Sequence, residues 1–513
     1  MKARILCIFL CLAVLAALVP AVSAEGPVIK KVEKLTFAIY DNYCVLKECA
    51  ADAEGSITIP ASVSYNGKQY PVITIGENAF TDVDNEISVV IPEGVTELAE
   101  RAFYCCDGLK GVTVPKSVNS WGDEVFAYAN LTGVTLTEGL ESIGKNAFAH
   151  CSGLESIKIP QSVTLVNNFA FYNCANLINV DLGGTKIIGK GAFERCFSLQ
   201  NITVPASVQT IGESAFEYCR SLISPDFENG VLSIGDYAFR KCSDLHDITF
   251  PDSVMTLGKG MFIGCESLAV VELGEGVREI GDSAFKGCAV LPEISIPDST
   301  EKIGDNAFEN CTALTYVWIG TGMKDMGKSA FSGCTALKSV IFAEGIETIG
   351  DYSFSGCTGI ETLTLPKSLK TIGTCAFLDC SGLKTINMEK GVELISADAF
   401  TRCSALEKVY FGGTEQEWNA ITINEGSSPL MQAEKVFVFA PPATEKKGDV
   451  NGNGKIDSAD YAMCKRAYLK TYTLSAEQLL RADITNNGKV DSSEYAMIKR
   501  HYLGTYTIPG WEK

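Results

Sequence analysis

At 513 residues, 46% of them hydrophobic, the chain is longer than one ordinary domain and rich enough in apolar side chains to bury a large core. Its formal net charge of −19 argues against a nucleic-acid partner, because so acidic a surface repels phosphate backbones. The balance suits an extracellular protein or one that collects cations.

Residues 1–24, MKARILCIFLCLAVLAALVPAVSA, read as a secretory signal peptide: Lys2 and Arg4 precede an apolar run from Ile5 to Val19, Pro20 breaks it, and Val22-Ser23-Ala24 is a small-residue cleavage site. No second run of that length follows, so nothing else is expected to span a membrane.

Further along, a rhythm takes over. A marker phenylalanine recurs fifteen times from Phe80 to Phe400, in steps of 23 residues apart from two of 22. One unit runs from Ile296 to Trp318, IPDSTEKIGDNAFENCTALTYVW. Leu314, Val317 and Ile319 space like a short strand, Ile303, Ala307 and Phe308 form a second apolar stretch, and Pro297 and Gly304 mark bends. A unit this small cannot bury its apolar face alone, but stacked units can bury theirs against each other. The expectation is a solenoid with a parallel β-strand ladder over residues 76–440.

The phrase IPxSVxxIGxxAFxxCxxLxxI resembles the BspA-like leucine-rich repeat family, from about Gly76 to Phe411. Val409 to Ile423 resembles that family's closing segment, and Leu35 to Tyr70 its cap, which implies an N-terminal β cap over residues 25–75. The resemblance implies an α/β-type leucine-rich repeat solenoid.

Thirteen cysteines, from Cys106 to Cys403, each lie three residues after a marker phenylalanine. Equivalent positions point the same way in every coil, so they read as a ladder of buried free thiols acting as small hydrophobes with a weak S–H donor. Cys44 and Cys49 stand outside the ladder, and for them a small disulfide and two free thiols both remain open. Catalysis is not expected. The three histidines, His150, His246 and His501, share no local motif with a nucleophile, and the carboxylates fall on variable outward positions.

In the strand, the residues between the apolar ones point outward. The outward column includes Glu272, Ser295, Trp318, Ile341, Thr364, Asn387 and Tyr410. Tyr316, Trp318 and Ile341 form a bulky patch within a polar or small column, and they are expected to be a partner-binding platform.

Residues 441–447 read as a polar, proline-bearing linker. The tail, 448–510, holds two copies of one motif. In the first, Asp449, Asn451, Asn453, Gly454, Lys455, Asp457 and Asp460 occupy positions 1, 3, 5, 6, 7, 9 and 12 of a calcium loop. Calcium wants six to eight oxygens. Alternate side chains supply them, the glycine allows the sharp turn, and Lys455 offers its backbone carbonyl. The second copy has Asp483, Thr485, Asn487, Gly488, Lys489, Asp491 and Glu494 at the same positions. Thr485 brings less charge than the Asp or Asn usual at position 3, and Asp460 replaces the glutamate usual at position 12 of an EF-hand. Two calcium ions are expected.

Each loop runs into the same small, all-α element, SADYAMCKRAYL or SSEYAMIKRHYL. Duplicate ligands explain two ions but not a repeated Lys-Arg pair. The tail closely resembles a type I dockerin over about Lys447 to Ile508. That resemblance implies calcium-dependent binding to a cohesin module of a scaffolding protein through Ser458, Ala459, Lys465 and Arg466, or through Ser492, Ser493, Lys499 and Arg500. Ala459 lacks the hydroxyl found in its counterpart. The near-symmetry of the family implies two binding orientations.

The expected protein is secreted, extracellular and non-catalytic. Its dockerin would place the solenoid in a cellulosome-type complex for polysaccharide breakdown, held at the cell surface or in the complex, with a protein or glycan ligand on the solenoid. One alternative is a surface adhesin that uses the dockerin only as a wall tether. Another is a glycoside hydrolase subunit, which would need two carboxylates converging in a cleft.

Overall fold

The computed structural model describes residues 26–342, 344–437, 448–452 and 455–469, together with 474, 478, 481, 482, 490 and 498. The expected signal peptide and linker lie outside them. The chain divides into two compact units, 1–154 and 155–513.

The first unit opens with an antiparallel meander. Strand Val28–Val32 pairs with Leu35–Ile39, which pairs with Cys44–Cys49. Leu35, Phe37 and Ile39 are buried. Ser62–Tyr65 and Lys68–Ile75 form a hairpin closed by Asn66 and Gly67, both at positive φ, as a two-residue turn of the primed type requires. Lys68–Ile75 then pairs in parallel with Glu97–Leu98, where the repeat begins. A second, parallel sheet runs Gly55–Thr58, Ile87–Val90, Leu109–Val114 and Gly133–Leu136. Phe80, Phe103, Phe126 and Phe148 stack beside it with centroids 4.4, 4.9 and 5.2 Å apart.

In the second unit most coils contribute one strand of three or four residues and one of two, though Asp226–Phe227 is also only two residues long. Glu293–Ile296, Tyr316–Ile319 and Ser339–Phe342 pair in parallel, with Ser295, Trp318 and Ile341 in register. The short strands form a continuous narrow ladder from Leu165–Val166 to Thr422–Ile423. Between the two ladders the coils run through turns. The marker rings stack almost flat: Phe285, Phe308 and Phe331 have centroids 4.9 Å apart and planes within 2°.

The turn layer is bonded coil to coil. Asn306, Phe308 and Asn310 donate their N–H groups to the carbonyls of Lys328, Ala330 and Ser332 at 2.8, 2.7 and 2.8 Å. Asn306 and Asn310 adopt φ of 58° and 61°, a region asparagine tolerates better than most residues. Gly304 is required for another reason. A Cβ there would lie 2.5 Å from the backbone nitrogen of Asp282 in the preceding coil.

The cysteine ladder has a specific role in this layer. The Sγ of Cys311 donates to the carbonyl of Phe285, Cys334 to Phe308, Cys357 to Phe331 and Cys403 to Phe377, each at 3.2 Å. Each thiol is therefore a second donor to a carbonyl one coil back that already accepts from its own coil's cysteine N–H. All cysteines among the described residues are free. Cys44 and Cys49 stand at opposite ends of one strand, about 16 Å apart at strand pitch, too far for a disulfide.

The repeats close on the helix Glu415–Asn419, whose capping box joins Thr414 and Glu417 and whose Trp418 packs edge-on against Phe411 at 5.4 Å. Beyond 447 the described residues include the tail helix Ser458–Tyr468, N-capped by Asp457.

Candidate functional site

The first acidic loop leads directly into the tail helix, and the helix start organises it. Asp457 accepts from the N–H of Ala459 at 2.9 Å. The two oxygens of Asp460 accept from the N–H groups of Asn451 and Asp457, at 3.0 and 2.9 Å. Positions 3, 9 and 12 of the loop are thus tied together, and Asp449 and Asp460 are buried. Burial, then the charges of Asp457 and Asp449, push the Asp460 carboxyl well above the usual carboxylate range.

This donor set suits a hard divalent cation, which would neutralise the buried Asp449 and Asp460 and the half-buried Asp457. Among the described residues no three acidic, histidine or cysteine side chains are already gathered as a cage. A calcium ion would also draw on the Asn451 side chain and the Lys455 carbonyl. Asn453, and all of Asp483, Thr485, Asn487, Lys489, Asp491 and Glu494, lie outside the described residues. So do Ser492, Ser493, Lys499 and Arg500.

The four first-copy partner residues meet different surroundings. Lys465 is exposed, Ser458 is half-buried, and Ala459 and Arg466 are buried. Ala459, Met463 and Arg466 follow helical spacing along one face. That face packs on the solenoid.

Tyr316, Trp318 and Ile341 are brought together in register, as neighbours on adjacent strands. They are not an open patch. Trp318 is 0% exposed and Tyr316 3%, and they share a buried cluster with Val450, Ala459, Met463 and Cys464 of the tail, against which Ile341 also packs. The Arg466 guanidinium lies 4.9 Å over the Trp318 ring and 3.0 Å from the Asp298 carboxylate. Burial, and after it the charges of Asp460 and Asp457, push the Tyr316 phenol up.

Asp298 and Ser295, which meet Arg466, carry no sequence signal for that role. The contact joins residues 168 positions apart, and only the fold brings them together.

A repeat solenoid joined to a small acidic loop-and-helix tail defines a modular interaction protein. The chain belongs to the BspA type leucine rich repeat family, which matches in six copies over residues 56–178, 186–315 and 301–420. Its C-terminal part, residues 447–503, matches the dockerin type I domain. Both are non-catalytic domain types, and type I dockerins bind calcium and cohesins. Such modules are typical of extracellular or cell-surface proteins. Among the described residues no helix is long and apolar enough to cross a membrane.

Among solved structures, a leucine-rich repeat protein from Bacteroides ovatus is 27% identical, with a TM-score of 0.60, covering 77% of this chain and 99% of its own. A leucine rich cell surface protein from Faecalibacterium prausnitzii is 24% identical, with a TM-score of 0.35, covering 78% and 99%. No curated protein matches the chain.

Proposed function

We propose that this chain is a secreted, non-catalytic interaction protein whose dockerin binds a cohesin module in a calcium-dependent way. Two ions, one per loop, hold the tail in its binding form. Removal of residues 1–24 releases the chain outside the cell. Binding to a scaffolding protein then carries the solenoid into a cellulosome-type complex that breaks down polysaccharide.

The observation that carries this reading is the first loop and helix taken together. Asn451, Asp457 and Asp460 are hydrogen-bonded together at the start of the helix that bears Lys465 and Arg466. The second copy repeats both the ligands and the Lys-Arg pair in sequence. When bound, calcium supplies charge neutralisation and a fixed loop. The chain's own residues do the rest: Asp457 caps the helix, and the helix carries the basic pair, with Lys465 exposed and Arg466 held against Trp318 and Asp298.

The test is binding of the full chain to recombinant type I cohesin modules. Lys465→Ala with Arg466→Ala should leave binding through the second copy, Lys499→Ala with Arg500→Ala should leave it through the first, and all four together should abolish it. Full binding by the quadruple variant would remove the basic pairs from the interface.

A further inference from the structure

The part of the solenoid with the largest aromatic side chains in its outward column is covered by the chain's own tail. Along that column Glu272, Ser295 and Thr364 are exposed, whereas Trp318 is fully buried. Three features of the contact match. Ala459 and Met463 of the tail helix share one apolar cluster with Tyr316 and Trp318. Arg466, only 8% exposed, stacks on Trp318 and pairs with Asp298. Its other terminal nitrogen reaches the Ser295 hydroxyl at 3.4 Å. Apolar surface, ring face and countercharge thus each meet their complement.

We propose that the solenoid face at Tyr316, Trp318 and Asp298 is a built-in seat for the first dockerin helix, and that this seat competes with cohesin for Arg466. The competition rests on the reading of Lys465 and Arg466 as cohesin contacts; the seat itself does not. While the seat is filled the first face is closed, so the two orientations expected of a symmetric dockerin are no longer equivalent. Cohesin taking the first face must lift the helix and expose Trp318. Cohesin taking the second copy leaves the seat in place.

Glu293 and Lys465 line one cavity of about 310 Å³ at the edge of the seat, which gives a direct probe. The full chain, in calcium and at low concentration, is treated with a zero-length carbodiimide that joins carboxylates to amines, then digested for mass spectrometry. A Glu293–Lys465 link within one molecule is expected, and it should be lost in Asp298→Lys. Asp298→Asn is the second variant. It removes the charge and keeps an acceptor for the Thr321 N–H that Asp298 now binds at 2.9 Å. No link in the unaltered chain overturns the seat, even if cohesin binds normally.

Affinity for a recombinant type I cohesin is then measured in a chain carrying Lys499→Ala and Arg500→Ala, so that only the first face remains. A seat closed ten times out of eleven lowers apparent affinity about tenfold, so adding Asp298→Lys should restore about that factor. Unchanged affinity overturns the competition. If the link forms and no type I cohesin binds any variant, the seat stands and the cohesin reading is what fails.

Discussion

The guanidinium of Arg466 rests 4.9 Å from the centre of the Trp318 ring, with Asp298 as its ion partner at 3.0 Å. A desolvated cation–π contact is worth about 2 kcal/mol, and an aromatic ring under a helix adds the burial of its own surface. Trp318 projects away from the solenoid interior, so that stabilisation belongs to the tail contact. Trp318→Ala should therefore lower the melting temperature of the tail while the repeat transition stays nearly in place. Differential scanning calorimetry separates the two, and a large fall in the repeat transition would assign Trp318 to the solenoid core.

Chelation should act on the tail alone. Asp449, Asp457 and Asp460 repel one another without a cation, and a small domain has little apolar burial to offset this. Excess chelator should remove tail helicity in circular dichroism and leave the repeat transition unchanged. Calcium should restore it. A tail equally helical in chelator would contradict the metal assignment.

The thiol ladder should make the protein sensitive to alkali. Burial pushes Cys265 and Cys403 from an ordinary 9.0 up to about 12, and Cys311 and Cys357 well above the usual thiol range. A thiol whose folded value is raised contributes stability that is complete below about pH 9 and is lost as pH climbs toward about 12. For each such thiol the loss is about 1.4 kcal/mol per pH unit in that window. Urea midpoints should hold up to pH 9 and then fall steeply. Cys265→Ala with Cys403→Ala should shallow the fall, and an unchanged slope would mean these thiols are not the titrating groups.

Phe308 stacks between Phe285 and Phe331 and is fully buried. Phe308→Ala should destabilise the repeats by about 3–5 kcal/mol, through lost transfer energy plus the cavity left behind. Phe308→Leu should lose far less. Denaturant titration reports both, and equal losses would mean that ring stacking, more than volume, holds the layer.

Most of the solenoid was legible in the sequence because each coil repeats the same local demand. The phenylalanine spacing placed the stacked rings, and the Ser295–Trp318–Ile341 column followed from strand alternation. The cysteine register was legible too, but not its acceptor. That Cys311 bonds the Phe285 carbonyl depends on how one coil lies on the last. Ligand spacing singled out the first loop, but not the bonds from the Asn451 and Asp457 N–H groups to Asp460 that tie it to the helix start. The seat was not legible, because Asp298 and Arg466 belong to different modules and neither departs from its local pattern. Trp318 did depart from its column, and that oddity pointed to a partner without showing that the partner was the chain's own tail.

Calcium-dependent cohesin binding is tested most directly by isothermal titration calorimetry of the full chain with recombinant type I cohesin modules, in calcium and again in excess chelator. One-to-one binding is expected in calcium, lost with the chelator and regained when calcium is restored. No binding to any type I cohesin, or binding indifferent to calcium, would contradict it.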